Sequence, residues 1–133
     1  MDILVVGDVH GCYYTFKRLL KKHWNPETMY LVQLGDLVNK GRHSGRCLKL
    51  ALKLQEEYPY QAFFLKGNHE MKLLQASQSP MVIKTRKNAL KHGMEWSTIR
   101  GWVKEMPMTW ENPYVLISHA GVAKSTKKPF SEE

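Results

Sequence analysis

The chain is poor in cysteine, short of acidic residues and without any long apolar run. Its two cysteines, Cys12 and Cys47, are too few for a disulfide framework and form no C-x-x-C pair, so reduced thiols in a cytoplasmic protein are expected. No apolar stretch approaches the about 20 residues that cross a bilayer, and the opening Met1-Asp2 lacks the basic segment of a secretory signal. No membrane partner is expected. There is no internal repeat, low-complexity tract or Gly/Ser linker either, and a single domain over residues 1–133 follows. A nucleotide-binding P-loop is excluded, because Gly7 to Gly11 has neither the spacing nor the Lys-Ser/Thr of that motif.

The deficit of carboxylates leaves 20 Lys+Arg against 12 Asp+Glu, a formal charge of +8 that favours an anionic partner. The cations fall in three groups at helical spacing: Lys17-Arg18-Lys21-Lys22, Arg42-Arg46-Lys49-Lys53 and Lys84-Arg86-Lys87-Lys91. Each group taken alone also fits an ordinary solvated helix face. No zinc finger, basic zipper or RNA-recognition motif accompanies them, so nucleic acid stays open as a partner but no motif indicates it.

Four short runs read as buried strands: Ile3 to Val6, Met29 to Leu34, Gln61 to Leu65 and Tyr114 to Ile117. Between the first two, Tyr13, Phe16, Leu20 and His23 fall on one stripe of a helix over Tyr13 to His23. Between the second and third, Cys47, Leu50, Ala51 and Leu54 stripe a helix over Ser44 to Tyr58, which Pro59 ends. A short helix over Met71 to Ala76 and a longer one over Asn88 to Glu105 are expected further on, with Pro107 as a stop. Alternating strands and helices predict an α/β fold with a largely parallel central sheet flanked by helices.

Every strand runs into a polar, glycine-bearing motif: Gly7-Asp8-Val9-His10-Gly11, Gly35-Asp36, Gly67-Asn68-His69-Glu70 and Ser118-His119-Ala120-Gly121. In an open parallel sheet the carboxyl ends of the strands share one edge, where ligands bind. That edge would gather Asp8, His10, Asp36, Asn68 and His119. Two carboxylates, two imidazoles and an amide oxygen make a donor set without thiolate, which suits manganese, iron or zinc. Without a cation the carboxylates would repel each other. Singly each motif is weak, since Asp36 could cap a helix and Asn68 could occupy a left-handed turn. Four in order are a coherent set.

GDVHG, GDLVNKG, GNHE and SHAG in this order resemble the signature of the calcineurin-like metallophosphoesterases, in the phosphoprotein-phosphatase branch. That branch includes bacterial and phage Ser/Thr phosphatases and the diadenosine tetraphosphatases. The resemblance runs from Ile3 to Val122. It implies a layered metallophosphoesterase fold and two divalent metal ions, manganese first, with iron or zinc as alternatives. Asp8 and His10 would hold one ion, Asp36 would bridge, and Asn68 and His119 would hold the second. A metal-activated hydroxide would attack a phosphomonoester, as in a phosphoprotein, or a dinucleoside polyphosphate, and His69 would protonate the leaving oxygen. Lys40, Arg42 and His43, which follow Asp36 in a loop, are the candidates for substrate binding.

Three departures qualify the resemblance. Asn39 stands where the family has an Asp that charges the catalytic His, and an amide stabilises an imidazolium less than a carboxylate does. Lys40 stands for an Arg, keeping the charge but losing the bidentate fork. The Asn-Lys pair resembles the diadenosine-tetraphosphatase relatives and turns the expectation toward nucleotides. After SHAG no later Gly-His or second phosphate-binding Arg follows before Glu133, so the C-terminal strands of the family fold are expected to be missing. These departures leave a second reading open, a catalytically impaired module of the same fold that binds a phosphorylated or nucleic-acid partner.

Overall fold

The computed structural model describes residues 1–119. Ala120 and Gly121 of the SHAG motif and the tail from Pro129 lie outside the described residues. Strand β1 (Asp2–Val6), built from Ile3, Leu4, Val5 and Val6, pairs in parallel with β2 (Met29–Gln33), and β2 with β3 (Ala62–Phe64). Val6 stands opposite Gln33, and Gln33 opposite Phe64, so the three strands end level with one another.

The two crossovers are helices α1 (Tyr13–His23) and α2 (Ser44–Glu57), at the expected places. Phe16 and Leu20 of α1 and Cys47, Leu48 and Ala51 of α2 share one buried core with Val6, Leu31, Ala62 and Phe64. Both helices therefore cover the same face of the sheet. Burial of the Phe, Leu and Val side chains among them is worth about 1.5–3 kcal/mol each. Both helices begin just beyond a strand end, which puts two loops at the carboxyl edge.

Beyond β3 come α3 (Asn68–Gln75), α4 (Pro80–Lys91) and α5 (Trp96–Glu105). The single long helix expected from Asn88 to Glu105 is two helices, and the division has a physical cause. Gly93 adopts φ +80°, its N–H donates to Leu90 O at 3.0 Å and that of Met94 to Ala89 O at 3.1 Å. This paired bonding terminates α4 in a left-handed turn that glycine takes without steric penalty. Pro80, which breaks the pattern before it, begins α4, since the first helical turn needs no proline N–H.

The fourth strand also differs from the expectation. β5 (Leu116–Ser118) does not join the parallel sheet but pairs antiparallel with β4 (Thr109–Glu111), a strand with no strong signal of its own. The Asn112 side chain accepts the N–H groups of Tyr114 and Val115 at 2.8 and 2.9 Å and so closes the hairpin. Trp110 of β4 packs on Tyr30 and Phe63, ring centroids 5.5 and 5.8 Å away, on the sheet face opposite α1 and α2. The hairpin thereby delivers His119 to the carboxyl edge. No helix of the described residues is long and apolar enough to cross a membrane.

Candidate functional site

The loops after β1 and β2 are laced together at the carboxyl edge of the sheet. The N–H groups of Val9 and His10 both donate to Asp36 O, at 3.0 and 2.8 Å, and that of Gly11 donates to Leu37 O at 2.8 Å. Among the described residues, the non-glycine positions with positive φ are His10 (45°), Asp36 (54°), Asn39 (69°) and Lys40 (72°). All four lie in these two loops. Asp, Asn and His tolerate the left-handed region better than most residues, and such strain collects at functional sites.

Asp8, His10, Asp36 and His119 come together there. His119 Nε2 is 3.1 Å from Asp36 Oδ2, while His10 Nε2 is 3.4 Å from Asp8 Oδ2 and 3.8 Å from Asp36 Oδ2. Asp36 is buried, Asp8 half-exposed. The Nδ1 atoms fix the ring orientation: that of His10 donates to Val38 O at 3.0 Å and that of His119 to Leu34 O at 2.9 Å. A carbonyl can only accept, so Nδ1 carries a proton in each ring, and each Nε2 faces carboxylate oxygens. Imidazole nitrogens and carboxylate oxygens that converge in this way are donors a shared divalent cation can take up. The donor set therefore fits divalent cations, with imidazoles oriented by backbone carbonyls as metal-ligating histidines usually are.

Two groups could each hold an ion: Asp8, Asp36 and His119, and His10, Asp36 and His69, the ligand atoms of each group lying within 4.8 Å of one another. Asp36 belongs to both. Asn68 is exposed at the first position of α3, next to His69.

Comparison with known proteins decides the family. The calcineurin-like phosphoesterase profile matches residues 1–132. The chain belongs to the calcineurin-like phosphoesterases. It is 30% identical over 128 residues to the symmetrical bis(5'-nucleosyl)-tetraphosphatase of Glaesserella parasuis, a match covering 92% of this chain and 46% of that protein. A crystal structure of a candidate diadenosine tetraphosphatase superposes with a TM-score of 0.70 at 27% identity, covering 98% of this chain and 55% of that one. A serine/threonine phosphatase from Saccharomyces cerevisiae shares the fold, with a TM-score of 0.66 at 22% identity over 80% of this chain and 33% of that one. The chain thus spans about half the length of the curated relatives it matches. The family works with divalent metals, and the donor groups of this phosphoesterase chain are of the kind such ions take.

Around these groups the phosphoesterase site has a second layer. Asn39 is buried and its Nδ2 lies 3.0 Å from His69 Nδ1, while its Oδ1 accepts the Thr85 hydroxyl at 2.6 Å. With the amide so turned, Nδ2 donates to Nδ1 and the neutral His69 ring carries its proton on Nε2, which makes His69 a proton donor rather than a ligand despite its place beside His10 and Asp36. Burial holds His69 below the usual imidazole range; Asp36 opposes this, and Lys72, His10 and Lys40 reinforce it. Lys40 and Arg42 are exposed and line a cavity of about 100 Å³ together with Asn39, Ser44, Lys84 and Thr85. His43 does not line it. It precedes α2, with its ring edge-on to Tyr14 at 5.3 Å.

Three residues of this arrangement escaped the sequence reading. Glu70 is fully buried and bridges two loops, its Oε1 accepting the N–H groups of Asp36 (2.6 Å) and Gly67 (2.9 Å) and its Oε2 that of Leu37 (2.9 Å). Burial pushes its carboxyl above the usual range and the three N–H donors pull it back. Its spacing of three from Gly67 is that of a capping box, the signal that could have found it. Gln33 is fully buried at the end of β2, where Nε2 donates to Gly7 O (3.0 Å) and Gly35 O (2.7 Å) and Oε1 accepts the Gly35 N–H (2.9 Å). A glutamine ending an apolar strand was the available hint. Thr85, in mid-helix, carried none.

The strand-end glycines are not equivalent. A Cβ on Gly35 would collide with Gly67 N, and one on Gly67 would stand 2.5 Å from Asp36 Oδ1, whereas a Cβ on Gly7 would meet nothing within 4 Å.

Proposed function

We propose that this chain hydrolyses phosphoric esters with the help of two divalent cations, manganese foremost, and that dinucleoside polyphosphates are its substrate class, ahead of phosphomonoesters. The observation that carries this reading is the convergence of the His10 and His119 Nε2 atoms on the carboxylates of Asp8 and Asp36. Asp8, His10, Asp36, Asn68 and His119 would hold the cations, with Asp36 shared. When bound, such cations make water acidic near neutral pH and neutralise charge on phosphoryl oxygens.

The chain's own residues supply the rest. Lys40 and Arg42 bring positive charge to the loop after Asp36, Lys40 gripping a phosphate as a point charge rather than a fork. His69 donates its Nε2 proton to the leaving oxygen, and Asn39 fixes the ring for that task through Nδ1. An amide partner does not favour the imidazolium as a carboxylate would, so a neutral Nε2–H is the donor. A nucleoside phosphate is a more acidic leaving group than a serine hydroxyl and needs less from that donor, which supports nucleotides as the class. The names of the relatives agree with it.

The test is a manganese titration of hydrolysis by the full chain, on a dinucleoside tetraphosphate and on p-nitrophenyl phosphate. Saturable, cation-dependent turnover that favours the dinucleotide and is lost in Asp36→Asn is expected. Folded protein without cation-stimulated turnover of either compound would refute the proposal.

A further inference from the structure

Two basic groups that are 29 residues apart in sequence, at Lys17 and Arg46, meet in the fold. Lys17 of α1 and Arg46, Lys49 and Lys53 of α2 line a groove of about 340 Å³, with Tyr13 and Leu50 as apolar lining and His92 from the end of α4. No acidic side chain lines it. Among the described residues, moreover, the ion pairs within 4.0 Å are all between histidine and aspartate, so these cations have no carboxylate partner.

We propose that this groove binds the phosphate backbone of single-stranded nucleic acid. It goes beyond the hydrolytic reading and does not rest on it, since the groove contains none of the candidate metal ligands. Arg46, Lys49 and Lys53 are three and four residues apart, so they stand in a row on one helix face and present charge repeatedly along about 10 Å of axis. Lys17 faces them from the other helix. Cationic walls with an aromatic and aliphatic floor are the arrangement that tracks a single strand, phosphates on the walls and bases on the rings. The aromatic part is already organised by cations: Arg46 lies over Tyr13 at 5.7 Å and over Tyr14 at 5.9 Å, and Lys17 over Tyr13 at 5.7 Å. Tyr14, 53% exposed, lies beside the groove with Arg46 over its ring and the rings of Tyr13 and His43 edge-on to it. The positive field is also registered by His92, which is held below the usual imidazole range by desolvation and then by Arg46, Lys91, Lys49 and His43.

The experiment is fluorescence anisotropy of a labelled single-stranded 12-mer with the full chain, in EDTA so that the metal site plays no part. Four phosphate contacts at about −0.7 each give an expected slope of log K against log salt near −3. The double charge reversal Lys49→Glu/Lys53→Glu should weaken binding at least tenfold and flatten the slope by about 1.4, and Lys53→Ala by about 0.7. Arg18→Glu/Lys22→Glu, which changes the net charge equally on cations that do not line the groove, should stay within twofold of the parent. Circular dichroism confirms that each variant is folded. Absence of binding at 50 mM salt, or equal losses in the two double variants, would overturn the proposal. So would displacement of the strand by inorganic tripolyphosphate at equal phosphate concentration, which would assign the groove to nucleotide-like anions instead.

Discussion

Replacing Gly67 by alanine should separate the two loops on which the candidate metal site is built. An alanine Cβ there would stand 2.5 Å from Asp36 Oδ1 and 2.6 Å from Asp36 N, where ordinary contact begins at 3.4 Å, so the loops must part by about 0.9 Å. The bond from His69 N–H to Asp36 Oδ1, now 2.8 Å, would stretch to about 3.7 Å and cease to exist. That from Asp36 N–H to Glu70 Oε1, now 2.6 Å, would be strained to the limit. Overpacking against backbone costs about 1–3 kcal/mol, and losing a hydrogen bond to a charged group costs about 1.5–3 kcal/mol. The sum is roughly 3 kcal/mol or more. With a urea dependence of about 2 kcal/mol per molar, the unfolding midpoint should fall by about 1.5 M. Gly7→Ala is the matched control, because nothing lies within 4 Å of its Cβ and its φ is outside the left-handed region. It should stabilise by about 0.4–1 kcal/mol through loss of unfolded-state entropy. A midpoint that drops by less than about 0.5 M in Gly67→Ala, or by as much in Gly7→Ala, would refute the close-approach argument.

Thr85→Val removes the hydroxyl that donates to Asn39 Oδ1 at 2.6 Å in a buried setting, and should cost about 1–3 kcal/mol in denaturant unfolding. Turnover should fall as His69 loses its fixed orientation and return in Thr85→Ser; an undiminished valine variant would remove Thr85 from the positioning of His69. For the two thiols, Cys47 is fully buried with its pKa pushed up to about 12 by burial and the neighbouring Cys12, whereas Cys12 is exposed. A thiol reagent at pH 8 should titrate one group in the folded chain and two in urea, because the thiolate is the reactive form. Two fast groups in the folded chain would contradict the burial of Cys47.

The elements that sequence made legible are those whose signal is local. Runs of β-branched residues placed β1 and β2, and apolar stripes placed α1 and α2 nearly to the residue, since period and propensity act over a few neighbours. The same holds for two of the candidate ligands: the motifs after β1 and β2 place Asp8 and Asp36 at one edge because paired parallel strands end together. The division of α4 from α5 was written in His92-Gly93 but masked by a continuous apolar stripe on either side.

What the sequence by itself determined, then, is which side chains stand at the carboxyl edge and the α/β order that takes them there. Only the tertiary structure decided how they are held, because that depends on contacts between segments far apart in the chain. β5 brings His119 to the edge from an antiparallel hairpin rather than from the parallel sheet, since Trp110 has an aromatic face to cover on Tyr30 and Phe63. Glu70 holds the loop at Asp36 and Leu37, 34 and 33 residues away, Thr85 reaches Asn39 across 46, and Lys17 meets Arg46 in one groove. Each of these is a packing or hydrogen-bonding partner chosen by folding, and no spacing rule along the chain encodes it.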